Sequence, residues 1–338
     1  MGGGGPIYGR FGYATASWKG GWTGRTERLR IRPDVDLGTG TVRLVDVEEF
    51  RPAAQRVHDA VRRFVPGNLA RDERWWDRTL RDEPDQRKGA TARQHVLHTE
   101  ADGTVTGYAT YRLKSGWNDG AEPEGTLTVG EVRAMTPAAY AALWQYLFSH
   151  DLVRTIDAPQ QPYDDPVRHQ LADLRPLHAR PVDALWVRVV DVGRALSARR
   201  YPAPIDLVFE VRDPFCPWNT GRWRLSGHPA GAYCGPTDRD PDIVLGIEEL
   251  SAVYLGGTSL ATLQGAGRVT EVSPGAVTLA STAFGWPVAP GARTTSDERP
   301  RCPHASLRSA RAPAAGPFHQ LTWWAGRRPG GGGRARSR

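Results

Sequence analysis

Residues 126–148 read TLTVGEVRAMTPAAYAALWQYLF, a strand that passes directly into a helix. Up to Met135 the run is strand-like. At Thr136 the pattern changes. Thr136 suits an N-cap, Pro137 the first helical position, and Tyr140, Leu143, Trp144, Leu147 and Phe148 fall on one helical face. Ahead of this pair, residues 42–45 read as a short strand. They lead to a helix with apolar positions Phe50, Val57, Val61, Phe64 and Val65, stopped by Pro66 and Gly67. A second helix carries Trp75, Trp76 and Leu80. Strands follow at 93–98 and 107–113 with Asp102 and Gly103 as the turn between them, so these two and 126–135 are expected to be antiparallel neighbours. Behind the pair come a strand near 152–156, a helix near 166–174 and a strand at 185–190.

A chain of 338 residues with 39% hydrophobic content supports two or three domains. It holds no apolar run of about 18 residues, and the opening MGGGGP lacks the charged and apolar regions of a signal peptide, so the chain reads as cytoplasmic with no membrane partner. Pro6 stands where an N-myristoylation motif wants Ser or Thr. Cys216, Cys234 and Cys302 have no metal-ligand spacing and are odd in number, which points to reduced structural thiols and no metal. His95 and His98, three apart in a strand, face opposite sides and cannot share a metal.

The formal charge of +7 suggests a polyanion partner until its location is considered. Residues 292–338 carry ten arginines against Asp297 and Glu298, a net of +8, and leave −1 for everything before them. This tail, rich in Arg, Pro, Ala and Gly, is expected to be disordered and to bind nucleic acid only weakly.

The order β-α-α-β-β-β-α-β-α-β resembles that of the GNAT acetyltransferase fold. In that fold the loop after the fourth strand offers backbone N–H groups to a pyrophosphate, usually with an R/Q-x-x-G-x-G/A pattern. Here the place holds residues 135–140, MTPAAY, with no glycine, no Arg or Gln at the right spacing, and one donor removed by Pro137. This domain is expected not to bind acetyl-CoA. Gln86, Arg87, Lys88 and Gly89 echo the pattern but lead into a strand, and Gly38, Thr39, Gly40 likewise precedes a strand and reads as a linker.

The seven residues Ile7, Tyr8, Gly9, Arg10, Phe11, Gly12 and Tyr13 resemble the signature near the end of the first GNAT domain in acetyltransferases of the enhanced-intracellular-survival family. Ala141, Ala142, Leu143, Trp144 and Pro236, Thr237, Asp238 support it at fitting spacing. The resemblance covers roughly residues 6–290. It implies an α+β fold class: a GNAT-like mixed sheet with helices, followed by a sterol-carrier-protein-like α/β domain. It implies residues 1–40 as a remnant of a first GNAT domain plus linker, 41–182 as a second, cofactor-less GNAT-like domain, 183–290 as the sterol-carrier-like domain and 291–338 as the tail. Within 183–290, a helix opened by Asp191, strands at 206–211 and 222–225, then helices, with 243–247 running into 248–255 closed by Gly256 and Gly257 and a further helix from Pro274, fit that domain.

The implied function is N-acetyl transfer from acetyl-CoA, a co-substrate, to a small-molecule or protein amine, by a homo-oligomer that is hexameric in the family. The family's acetyl-CoA loop is expected ahead of Met1 and its aromatic C-terminal residue, the base, has no counterpart, so the chain is expected to lack the acetyl-CoA site. The other function class is a non-catalytic lipid-binding or assembly module. By resemblance Tyr8 is the acid that protonates the departing thiolate, whose ordinary pKa of about 8.5 lies within reach of a tyrosine donor. Tyr13 reads as packing, Gly9 and Gly12 as serving the turn, and Arg10 as facing solvent or a neighbouring subunit.

Overall fold

The computed structural model describes residues 7–291. In it the period-two pattern of 93–98 and 107–113 divides two cores between the faces of one sheet. Strand β1 (Ala14–Thr15) stands apart. β2 (Trp18–Arg25), β3 (Thr41–Val45), β4 (Gln94–Thr99), β5 (Val105–Lys114), β6 (Gly125–Ala134), β7 (Val153–Ala158) and β8 (Arg180–Asp183) join in the order β3-β4-β5-β6-β7-β2-β8. Val96 and Ala109 face a core with Leu143, Trp144 and Leu147, while Leu97 and Tyr108 face another with Phe50, Val57 and Trp76. Helices α1 (Val47–Val61) and α2 (Glu73–Leu80) therefore cover one side, and α3 (Pro137–Phe148) the other. With both sides covered, β5 is buried without a break from Thr106 to Tyr111.

The expected antiparallel neighbours pair as such, β4 with β5 and β5 with β6. β6 and β7 are parallel and bonded only from Gly125–Val153 to Thr128–Asp157, after which β6 continues on β5 without β7. Thr136 caps α3 through Oγ1 to the Ala139 N–H at 3.1 Å.

The boundary expected at residue 40 is corrected by the structure. β2 lies inside the sheet, its Trp22–Arg25 half on β7 and its Trp18–Gly21 half on β8, and Trp22 is buried in the α3-side core. Residues 1–40 are therefore not remnant and linker alone. The strand WKGGWTGR hid behind its glycines, which weaken strand propensity yet are required here, because a Cβ on Gly20 or Gly21 would lie 2.9 Å from the carbonyl of Pro162 or Pro159.

Three shorter expectations are also corrected. The first helix ends at Val61 in a 3-10 turn, so Phe64 is exposed rather than packed. The helix at 166–174 is the single turn α4 (Val167–Gln170). The strand at 185–190 is reduced to β9 (Trp186–Val187), paired with β1. His95 packs on Phe50 at 4.6 Å, while His98 bonds Thr106 through Nδ1 at 2.9 Å, both buried.

The second module opens with α5 (Val192–Ala198), capped by Asp191. β10 (Ile205–Arg212), β11 (Gly221–His228), β12 (Gly231–Pro236), β13 (Ile243–Gly246) and β14 (Val269–Glu271) form a sheet of order β12-β11-β10-β13-β14. Ile205, Leu207, Phe209 and Val211 alternate inward against α6 (Ile247–Val253), α7 (Leu260–Gly265) and α8 (Ala276–Phe284). The free thiols of Cys216 and Cys234 are buried, and burial pushes the Cys234 thiol up to about 12. Cys302 and the basic tail lie outside the described residues. Among the described residues no helix is long and apolar enough to cross a membrane, and no three His, Cys, Asp or Glu side chains are grouped to hold a metal ion.

Candidate functional site

Tyr8 sits at the head of a tight turn. Ile7 and Tyr8 are helical, Gly9–Phe11 forms a 3-10 turn, and Gly12 closes it in the left-handed region at φ +74°. The Gly12 N–H donates to the Gly9 carbonyl at 2.8 Å and the Tyr13 N–H to the Tyr8 carbonyl at 3.3 Å, after which β1 begins. The Tyr8 ring rests 6.2 Å from that of Tyr13 and 5.9 Å from that of Trp186 on β9. Half of Tyr8 remains exposed, at 49%, and its hydroxyl makes no hydrogen bond among the described residues. A phenol held by its ring with a free hydroxyl is placed to give or take a proton.

The turn is anchored from below. A Cβ on Gly12 would lie 1.8 Å from Arg188 Nη1 and 2.7 Å from Ile247 Cγ2, so only glycine allows this approach. Gly9 is different: its Cβ would meet only Glu248 Oε1 at an ordinary 3.6 Å, so the turn requires one glycine rather than two. Arg188 is buried and donates through Nη2 to both carboxylate oxygens of Asp213, at 3.0 and 2.8 Å. Asp213 also accepts from the Asn219 side chain and the Cys216 N–H, each at 2.9 Å. Burial works to raise the Asp213 pKa, but these donors and Arg188 together hold it below the usual carboxylate range. Phe11 meets Phe215 edge to face at 5.3 Å on the same platform. Arg10 is exposed and borders a cavity of about 390 Å³ with Arg212, Glu248 and Arg268.

Sequence reasoning missed Arg188, Asp213 and Asn219. Arg188 and Asp213 lie in loops just past β9 and β10 and Asn219 in a 3-10 turn, with no pattern to mark them, and only the fold joins Arg188 to a carboxylate 25 residues away.

Along residues 135–140 three of the five backbone N–H groups are already taken. The Met135 N–H donates to Thr106 O at 2.7 Å, the Ala139 N–H to Thr136 Oγ1 and the Tyr140 N–H to Thr136 O at 3.1 Å, and Pro137 has none. Beside it, Tyr140 donates to Asp165 Oδ1 at 2.6 Å, and Trp22 to Asp165 Oδ2 at 3.3 Å. A buried carboxyl thus adjoins the first turn of α3 where a phosphate needs cations. Pro236, Thr237 and Asp238 lie at the end of β12, bordering a shallow cavity with Trp218 and Arg222.

Residues 67–189 match the acetyltransferase (GNAT) domain and residues 192–292 the sterol carrier protein domain. The chain is 41% identical over 291 residues to an uncharacterized N-acetyltransferase of Streptomyces avermitilis, covering 84% of this chain and 69% of that one. It is 33% identical over 274 residues to the N-acetyltransferase Eis of Mycobacterium tuberculosis, covering 78% and 63%. Among solved structures, Eis1 from Mycobacterium abscessus superposes with a TM-score of 0.71 at 30% identity, over 87% of this chain and 71% of that one. The chain therefore belongs to the Eis-type N-acetyltransferases, in which a GNAT-fold domain is followed by a sterol carrier protein domain.

Proposed function

We propose that Tyr8 is the proton donor of an N-acetyl transfer in which acetyl-CoA is the co-substrate and an amine the acceptor. The observation that carries this reading is a half-exposed phenol on a turn locked to a buried ion pair. Such a hydroxyl is oriented at no cost during the reaction, which is what a general acid requires. Tyr8 holds its proton at Oη and releases it to the departing thiolate, and Tyr13 and Trp186 keep the ring in place. Acetyl-CoA is bound by residues other than 135–140.

In this reading the protein is cytoplasmic and homo-oligomeric, with the exposed aromatic side chains Phe11, Phe215 and Trp218 supporting assembly. Acetyl transfer is tested in a chimera of this chain with the segments of the Streptomyces avermitilis relative that fall outside the match, by following CoA thiol release with an amine acceptor. Amide exchange across 135–140 should be unchanged by saturating acetyl-CoA. Protection of those amides would overturn the reading of that loop.

A further inference from the structure

Arg71 and Arg188, both buried, each sit on a carboxylate, Glu131 and Asp213. Arg199, at the end of α5, does not. Its guanidinium lies over the rings of Tyr201 and Phe284, 4.8 and 4.5 Å from their centroids, and Nη2 donates to the Phe284 carbonyl. Nη1 is shielded from solvent and has no hydrogen-bond partner. Among the described residues no Asp or Glu pairs with it. Burial draws its pKa down, opposed only by the nearby tyrosines. Ring faces stabilise a cation modestly, but they are no substitute for a counter-charge on a desolvated guanidinium.

Arg199 lines a cavity of about 220 Å³ together with Pro66, Arg200, Tyr254, Leu255 and Trp286. Among the described residues the two arginines are its only charged groups. The Tyr254 hydroxyl is committed to the Ala195 carbonyl at 3.2 Å, so the rest of the wall presents mainly ring and aliphatic surface. Pro66 comes from the acetyltransferase-fold module and the other five from the second, and the Gly291 N–H bonds the Pro66 carbonyl at 3.0 Å beside it. An occupant is therefore touched by both modules.

We propose that this cavity is a binding site for a small organic carboxylate with a compact aromatic or branched body. The carboxylate lies against Arg199 and Arg200, supplying the missing counter-charge through charge-assisted hydrogen bonds, and the body lies against Trp286 and Leu255. Size supports the class. Pockets for drug-sized ligands begin at about 300 Å³, so a nucleotide cofactor is too large, while a bare inorganic anion leaves the aromatic wall unused. The site is separate from the Tyr8 turn and independent of the catalytic reading.

The test is calorimetric titration of the full chain with 3-phenylpropionate, 3-phenylpropanamide and sulfate. One-site saturable binding of the carboxylate is expected, with the amide and sulfate each weaker by at least about 10-fold. Arg199→Gln should weaken carboxylate binding by a similar factor. Should that variant fail to fold by circular dichroism, Arg200→Gln and Trp286→Ala carry the test, each expected to raise Kd by about 5-fold or more. Four results overturn the proposal: no saturation up to about 10 mM, equal binding of the amide, sulfate binding as tightly as the carboxylate, or unchanged affinity in both Arg200→Gln and Trp286→Ala.

Discussion

At Gly12 the backbone is left-handed and a guanidinium occupies the space a side chain would need. Gly12→Ala is therefore expected to cost more than about 1 kcal/mol of stability, read from urea denaturation, because the native angles and the native contact both oppose it. Gly9→Ala should be close to neutral, its Cβ having ordinary room. Equal effects at the two glycines would mean that the turn is held by something other than Arg188. The same platform predicts that Arg188→Met costs about 3–5 kcal/mol, since it strands Asp213 as a buried carboxylate without its cation.

Elements differ in how far the sequence discloses them, and α3 and β2 are the two extremes. The α3 helix is legible because its cap, its first-turn proline and its apolar face agree, and Thr136→Ala should lower stability by about 1 kcal/mol on thermal or urea unfolding. β2 is not legible, because Gly20 and Gly21 in its middle sit where another backbone passes too close for a side chain and carry no strand signal. β12, α7 and β14 were missed as elements of six, six and three residues, too short to show a period. The site divides in the same way. Tyr8 was reached through the resemblance of seven consecutive residues, whereas Arg188 and Asp213 form a unit only once β9 and the end of β10 are brought together. Across the first sheet, Arg71 from the α1–α2 connection forks onto Glu131 of β6 at 2.9 and 3.0 Å, both side chains buried. Burial works to lower the Arg71 pKa, and the Glu131 charge and hydrogen bonds outweigh it. Glu131→Gln should accordingly cost about 3–5 kcal/mol, and a loss below about 1 kcal/mol would show that water reaches the pair.

For the molecule as a whole, acidity should be destabilising well before the surface carboxylates protonate. Burial, aided by Arg93, holds His95 down at about 4, and burial also lowers His58, His98 and His150. The unfolded chain takes up these protons from about pH 6.5 downward, while folded His95 resists them to about 4. The stabilising contribution is thus complete above about pH 6.5 and is lost between there and about 4. Asp157 and Asp165, whose pKa values burial raises, act in the opposite sense, so the comparison that isolates the histidine is His95→Gln, expected to flatten the fall of the urea midpoint across that window. The central claim, that the anchored turn presents a general acid, is tested most directly by turnover in the chimera with the Streptomyces avermitilis relative. Tyr8→Phe should lower kcat by roughly 10²-fold or more with acceptor affinity little changed, and Tyr13→Phe, which shares the turn but serves packing, should lose far less. Full turnover of Tyr8→Phe from about pH 7 to about pH 9, or an equal loss in both variants, would contradict the account.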